Sequence, residues 1–461
     1  MTDVRTMRYR QILKSIDRRS IYCFEETSAM IYRKHLDSLD STFLSVTSHV
    51  TAPVLTSFVM WILSDAQKQG IENLLFMARD GFVMCKIAKA LCDIWELRIK
   101  CSYFSVSRRS LRSSMFIIDK EYAMEKLFDA NFQNAPVSAI LAAAGLNEAQ
   151  ATEVLDGIGL DKDYRLDARE FWAAKYKLEN NSKFNEYATK AAAKALVGVE
   201  KYFDKNAPES FSIVDSGWSG SIQECFQKLL SHLAKLQKNI VKGYYFGTLV
   251  NPAPGTDEYH SYYFSPQKSF RRFICFSIDL FENMCAADHG MVRGYDSIGE
   301  PILAELISCK GLAWNAGQQI MICTEYARNF AKTNMSVTSK AIQAPDSNSI
   351  EPLIRLFMER PTQEEARVFG AIPFSRDVIE NQVSVLARKM TKEEFRMCSF
   401  FYRAFGQILR RRTQKYRKQS GTVYWMSGAL VLSEASILRR IDLWLLNFAY
   451  FLKIKLFKRR G

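Results

Sequence analysis

The sequence predicts an α/β protein with a parallel-sheet core and large helical N-terminal, inserted and C-terminal segments. Three observations predict it. Short apolar runs stop abruptly at turns rich in Gly, Ser and Arg. Two of those turns lead straight into apolar residues at helical spacing, the strand–loop–helix signature of parallel pairing. Long stretches of helical patterning then flank and interrupt the core. In such a sheet, ligands collect at the carboxyl ends of the strands.

In chain order, residues 1–70 read as a helical segment, with Tyr22, Phe24, Ile31 and Tyr32 as an apolar stripe. Residues 71–300 form the α/β core. Its first strand is Leu74-Leu75-Phe76-Met77, which stops at Ala78-Arg79-Asp80-Gly81; Val83, Met84, Ile87, Ala88 and Leu91 follow at helical spacing. A second strand, Cys101 to Val106, ends in Ser107-Arg108-Arg109. A third, Phe211 to Val214, ends in a loop Asp215-Ser216-Gly217-Trp218-Ser219-Gly220-Ser221, with Ile222, Cys225, Phe226, Leu229 and Leu230 as the next helical stripe. A fourth strand runs from Val241 to Thr248. The Ala- and Lys/Glu-rich block at about 119–206 reads as a helical insertion that caps the sheet. Residues 301–461 are again helical and end in a basic amphipathic tail.

Composition narrows the function classes. With 461 residues, 48% hydrophobic and 13% aromatic, the chain can bury a large core, which excludes wholesale disorder. The net charge is +14, but residues 410–461 hold thirteen Lys and Arg against two acids, a net +11. The rest is close to neutral, which argues against a nucleic-acid-coating surface and for a basic tail. Ten cysteines show no Cys-x-x-Cys pair and no zinc-ligand spacing, so a reducing compartment is expected. Arg5, Arg8, Arg10 and Lys14 have no apolar run behind them, and Ala52 to Leu63 is too short for a span. A cytoplasmic protein is expected.

Chemistry concentrates in the three strand-end turns. Gly217 and Gly220 permit a tight turn and close ligand approach, Ser219 and Ser221 add hydroxyls, and the following helix start offers free N–H groups. That combination suits a terminal phosphate monoester. Asp215 can accept hydrogen bonds from sugar hydroxyls or hold hydrated magnesium. Arg79 beside Gly81, and Arg108 with Arg109 after Ser107, can fork onto phosphate oxygens. Three such turns on one sheet edge describe a ligand with phosphates at both ends. A Gly/Ser turn with Asp as a helix cap, and solvated surface arginines, are the structural alternatives.

Met77 to Val83 resembles the pyrophosphate-binding loop of purine phosphoribosyltransferases, which reads Arg-Gly-Gly after the first core strand. Ile213 to Ser221 is similar to their signature for 5-phosphoribosyl-1-pyrophosphate (PRPP), an apolar strand, two acids and a Thr-Gly-x-Thr loop. Ser216 replaces the second acid, the loop is shorter, and Asp80 stands where a second Gly is usual. The resemblance implies a phosphoribosyltransferase-like (Rossmann-like) core. Asp215 would hold the ribose hydroxyls and Mg2+, Gly217, Trp218, Ser219, Gly220 and Ser221 would surround the 5-phosphate, and Arg79, Gly81 and Arg108 would take the pyrophosphate end, with Ser107, Arg109 and Ser216 completing the PRPP-binding set.

A closer resemblance covers most of the chain. Leu75 to Phe82, Ser105 to Leu111, Asp215 to Gln223 and Phe281-Glu282-Asn283 resemble a bacterial family of surface-polysaccharide gene clusters, often paired with a haloacid-dehalogenase-type phosphatase. It implies transfer of phosphoribose from PRPP to a hydroxyl of a lipid-linked glycan (O antigen or capsule), after which a separate phosphatase removes the 5-phosphate. Asp80, Asp215 and Glu282 are the catalytic candidates; Asp80 competes as base with Glu282, Asp288 and His289. The five histidines form no ligand pair.

The tail interleaves Ile437, Leu438, Ile441, Leu443, Trp444, Leu445, Phe448, Phe451, Leu452, Ile454 and Leu456 with Arg439, Arg440, Lys453, Lys455 and Lys458. That pattern suits an interfacial helix on an anionic membrane, peripheral on the inner face of the cytoplasmic membrane. Two competing functions stand beside the transferase. A haloacid-dehalogenase-like phosphatase would use Asp80 as nucleophile and Ser107 for phosphate, but needs an acid at Phe82. A non-catalytic scaffold of a polysaccharide assembly complex is the other.

Overall fold

Asn73 to Met77 forms strand β1, whose apolar residues are buried on both faces, as a strand inside a parallel sheet must be. The computed structural model describes residues 4–128, 136–164, 166, 168–252, 259–304, 310–335, 342–374, 384–400 and 423–457. Strand β2 is Lys100–Phe104, β3 is Ser210–Trp218, β4 is Asn239–Thr248 and β5 is Tyr259–Phe264. They form one all-parallel sheet in the order β2-β1-β3-β4-β5. With β2 and β3 on its two sides, β1 delivers the Arg79 turn between the ends of its neighbours.

All four predicted strands are present. β3 is longer than expected: Asp215, Gly217 and Trp218 pair with Tyr245, Gly247 and Thr248 of β4, so the expected loop from Asp215 is strand as far as Trp218. The sequence reading missed β5. It also missed a hairpin of β6 (Val292–Tyr295) and β7 (Pro301–Leu303), which spans the expected division at residue 300.

The helices that position the site are, in chain order, α1 (Val4–Asp17), α2 (Phe24–His35), α3 (Ser41–Gln69), α4 (Gly81–Ile94), α5 (Arg108–Arg112), α6 (Ser182–Asn206), α7 (Ser221–His232), α8 (Ile278–Met284), α9 (Lys310–Thr333), α10 (Ser347–Met358), α11 (Gln363–Gly370) and α12 (Ile437–Phe457). α3 contains a π-helical turn at Thr47–Thr51. It is long and apolar enough to cross a membrane, yet 94% of its apolar window is buried inside the protein.

Two hydrophobic clusters cover the sheet. One joins α1–α4, α9 and α10 to one face through Phe58, Phe76, Phe246, Phe281, Tyr326 and Phe330. The other joins the insertion and α7 to the opposite face through Phe104, Tyr202, Phe203, Phe211 and Phe226. The N-terminal helix is tied to a helix late in the chain: Arg8 donates to Glu365 of α11 at 2.9 Å, and the Tyr9 hydroxyl donates to the same carboxylate at 2.6 Å.

Phe246 stacks on Phe281 with ring centroids 4.1 Å apart, which fixes α8 and thereby the neighbouring Glu282. Phe246→Ala should cost about 3–5 kcal/mol of stability, the usual range for a buried aromatic. Urea denaturation checks this.

Candidate functional site

The turn after β1 is built by close packing. A Cβ at Gly81 would lie 2.8 Å from the Phe76 carbonyl carbon, so only glycine lets α4 start this tightly against the strand. After β2, the Ser107 hydroxyl accepts from the Ser110 N–H at 3.0 Å and donates to the Val292 carbonyl at 2.6 Å. Ser107 is therefore a helix cap tied to β6. Its hydroxyl, expected to contact PRPP, is engaged within the protein in this structure.

At the end of β3, Gly217 has φ +129°, and a Cβ there would meet the Gly247 carbonyl oxygen at 1.9 Å. Gly220 has φ +64° and sits under the Tyr259 ring, whose hydroxyl donates to the Gly220 carbonyl at 3.2 Å. Only Ser219 and Gly220 separate strand from helix, and Ser219 is exposed. The predicted seven-residue phosphate loop is thus a two-residue turn. The start of α7 at Ser221 carries no side-chain cap.

The strand ends converge on a carboxylate cluster. The Ser216 hydroxyl donates to Asp80, joining the end of β3 to the turn after β1. The Asp215 carboxylate accepts from the Ser216 N–H at 2.9 Å, and the Trp218 indole donates to Glu282 at 2.9 Å. Trp218 is held by Phe264, Phe276 and Phe281. Burial pushes the Asp215 carboxyl up to about 8, with added repulsion from Asp80 and Glu282. Burial and repulsion from Asp80 and Asp279 push Glu282 up to about 7. Asp80 is raised by burial against the pull of Ser216, Arg79 and Arg108. Arg108, exposed at the start of α5, is attracted by all three acids.

The structure thus brings together Arg79, Asp80, Arg108, Asp215, Ser216, Trp218 and Glu282. Arg109 feels the charge of Arg293 of β6, a residue the sequence reading did not single out. Tyr103, also not singled out, shares a 2.8 Å hydrogen bond with His289, whose other ring nitrogen lies 2.9 Å from the Gly290 carbonyl. Both nitrogens of that base candidate are engaged, and Asp288 is exposed. Among the described residues no group of three or more His, Cys, Asp or Glu is arranged as a metal centre.

Raised carboxyl values set the sign of the pH dependence. Each group binds its proton more tightly folded than unfolded, so the folded state carries more protons and stability falls as pH rises from about 4 to about 8, by roughly 1.4 kcal/mol per pH unit for each proton. The thermal midpoint should drop between pH 5 and pH 8.5, and Asp215→Asn should flatten that drop. A midpoint independent of pH in the native protein would contradict the cluster's electrostatics. No family model matches this sequence, and no curated protein matches it either.

Proposed function

We propose that the protein is a phosphoribosyltransferase-like enzyme that moves a 5-phosphoribosyl group from PRPP to a hydroxyl of a lipid-linked surface polysaccharide, releasing pyrophosphate. One observation carries the reading. The Arg79–Asp80 turn and the Asp215–Trp218 strand end, 136 residues apart at their Ser216–Asp80 bond, meet at the carboxyl edge of a parallel sheet, with Arg108 over the same acids. A diphosphate sugar matches the guanidinium groups, and its ribose hydroxyls match Asp215.

In this reading the acceptor oxygen forms a bond to the anomeric carbon as the bond from that carbon to pyrophosphate breaks. The electron pair leaves with pyrophosphate, and the acceptor's proton passes to Glu282. A carboxyl near 7 is well matched to that exchange at neutral pH. Arg79 and Arg108 stabilise the departing charge; a unit pair about 4 Å apart at an effective dielectric near 20 is worth roughly 4 kcal/mol before desolvation. Asp80 and Asp215 repel one another, a repulsion that a cation between them would relieve. Asp215, with Asp80, would hold Mg2+, which takes one or two carboxylates and completes its shell with water and substrate phosphate. The ion would supply further charge neutralisation on the pyrophosphate. A separate phosphatase would then act on the 5-phosphate of the product.

The acceptor's lipid gives α12 a role. One side of that helix packs on the domain: Phe451 lies 5.5 Å from Phe270, and Asn447 donates to the Ile274 carbonyl at 3.1 Å. Elsewhere Ile437 and Leu438 are 70% and 72% exposed, and Ile441, Trp444 and Leu452 are exposed too. With Arg439, Arg440 and Lys453 beside them, at about 1 kcal/mol per basic residue near anionic lipid, the helix suits reversible docking on the inner face of the membrane. The tail residues Arg410, Arg411, Arg412, Lys415, Arg417, Lys418, Lys458, Arg459 and Arg460 lie outside the described residues.

Phosphorus NMR of the protein with PRPP, Mg2+ and a glycolipid acceptor should show pyrophosphate release. Asp215→Asn and Arg108→Gln should each slow it by about 10²–10³-fold, the scale for losing one transition-state partner. Inorganic phosphate from a monoester would point instead to a phosphatase, and no turnover to a scaffold. Leu438→Glu with Ile441→Glu should lower co-sedimentation with phosphatidylglycerol vesicles several-fold; unchanged binding would remove the docking role of α12.

A further inference from the structure

The β6–β7 hairpin supplies a feature that no sequence motif marks. Three contacts lace β6 onto residues 105–110. Ser107 donates to the Val292 carbonyl at 2.6 Å, the Tyr295 hydroxyl donates to the Ser105 carbonyl at 2.8 Å, and the Ser110 and Tyr295 hydroxyls lie 3.4 Å apart. Tyr295 also stacks on Tyr202 of α6, with centroids 4.5 Å apart, so the hairpin is held from behind. This seam brings Arg293, the residue after Val292, beside Arg109 of α5.

The two guanidinium groups repel, and burial together with Arg293 lowers the affinity of Arg109 for its proton. Arg109 is half-buried and Arg293 exposed. Neither makes an ion pair with an acid among the described residues. Like charges held together with no acid between them favour whatever anion can bridge them. Arg108, one residue earlier, is drawn to the carboxylate cluster instead, so the two neighbours serve two different places.

We propose that Arg109 and Arg293 form a clamp for a phosphate monoester dianion. The proposal rests on the transferase reading, in which that group is the 5-phosphate of the sugar. It moves the phosphate away from the end of β3, where Gly217 pairs with Gly247 and Gly220 lies under Tyr259. The pyrophosphate end stays with Arg79 and Arg108. The specificity that follows is for a phosphorylated sugar over a free one: the bridge between the two guanidinium groups needs a dianion, and an unphosphorylated ribose leaves the repulsion in place.

Isothermal titration of the full chain with two separate probes, ribose 5-phosphate and magnesium pyrophosphate, tests this. Arg109→Gln combined with Arg293→Gln should weaken ribose 5-phosphate at least tenfold and change magnesium pyrophosphate less than threefold. Arg293→Lys should recover part of the loss. Arg79→Gln, at the pyrophosphate end, should show the opposite preference. The double variant relieves a repulsion, so its thermal midpoint should be unchanged or higher, which separates lost binding from lost folding. If the double variant binds ribose 5-phosphate like the native protein, or the native protein does not bind it, the clamp is wrong. If the clamp behaves as stated but no pyrophosphate is released from PRPP, the transferase reading fails and the clamp stands as a site for another phosphorylated sugar.

Discussion

Asp80, Asp215 and Glu282 come from three elements, and gathering them at one partly dehydrated edge costs electrostatic energy that the rest of the site is arranged to offset. Ser216 and Trp218 donate a hydrogen bond each, to Asp80 and Glu282, and Arg79 and Arg108 supply positive charge. The sheet order forces the meeting, because β1 lies between β2 and β3 and its turn cannot avoid theirs. Aromatic packing then locks it. Trp218 sits among Phe264, Phe276 and Phe281, so the indole that holds Glu282 has little freedom to move away. A native fold that tolerates such a cluster does so where function requires it more often than where it does not.

Much of this was legible in the sequence. Leu74 to Met77 is apolar on both faces of its strand and ends in a sharp polar turn, so β1 and the start of α4 could be read directly. Asp215 and Arg79 could be nominated because they follow predicted strands directly, and Glu282 through the resemblance carried by Phe281-Glu282-Asn283. The end of β3 could not. Asp, Ser and Gly look like loop residues, and only the parallel partner β4, with Gly247 facing Gly217, makes them strand. β5 was hidden for a related reason: Tyr259-His260-Ser261 lacks an apolar run, and its pairing is a long-range property. Arg293 was invisible because nothing local distinguishes it. Its position depends on hydrogen bonds to residues nearly two hundred positions earlier.

The two faces of the sheet serve different ends. One carries the N-terminal helices and ties α1 to α11 through Glu365. The other carries the insertion, whose last helix, α6, stacks Tyr202 on Tyr295 and so supports the hairpin at the rim of the site. Changes in the insertion can therefore reach the site through the hairpin, without touching the strands that hold the acids.

Helix α3 has a consequence for biosynthesis. It is an apolar segment of spanning length, and part of what hides it is distant in sequence: Tyr326, Ala327 and Phe330 belong to α9, and the Ile342 carbonyl receives the Ser64 hydroxyl at 2.7 Å. A ribosome adding about 5–20 residues per second needs on the order of 10–50 s to get from the end of α3 to the start of α9. Throughout that interval α3 has its neighbours α1, α2 and α4 to pack against, but not α9. Part of the cover of α3 is therefore completed only when about two thirds of the chain has been made.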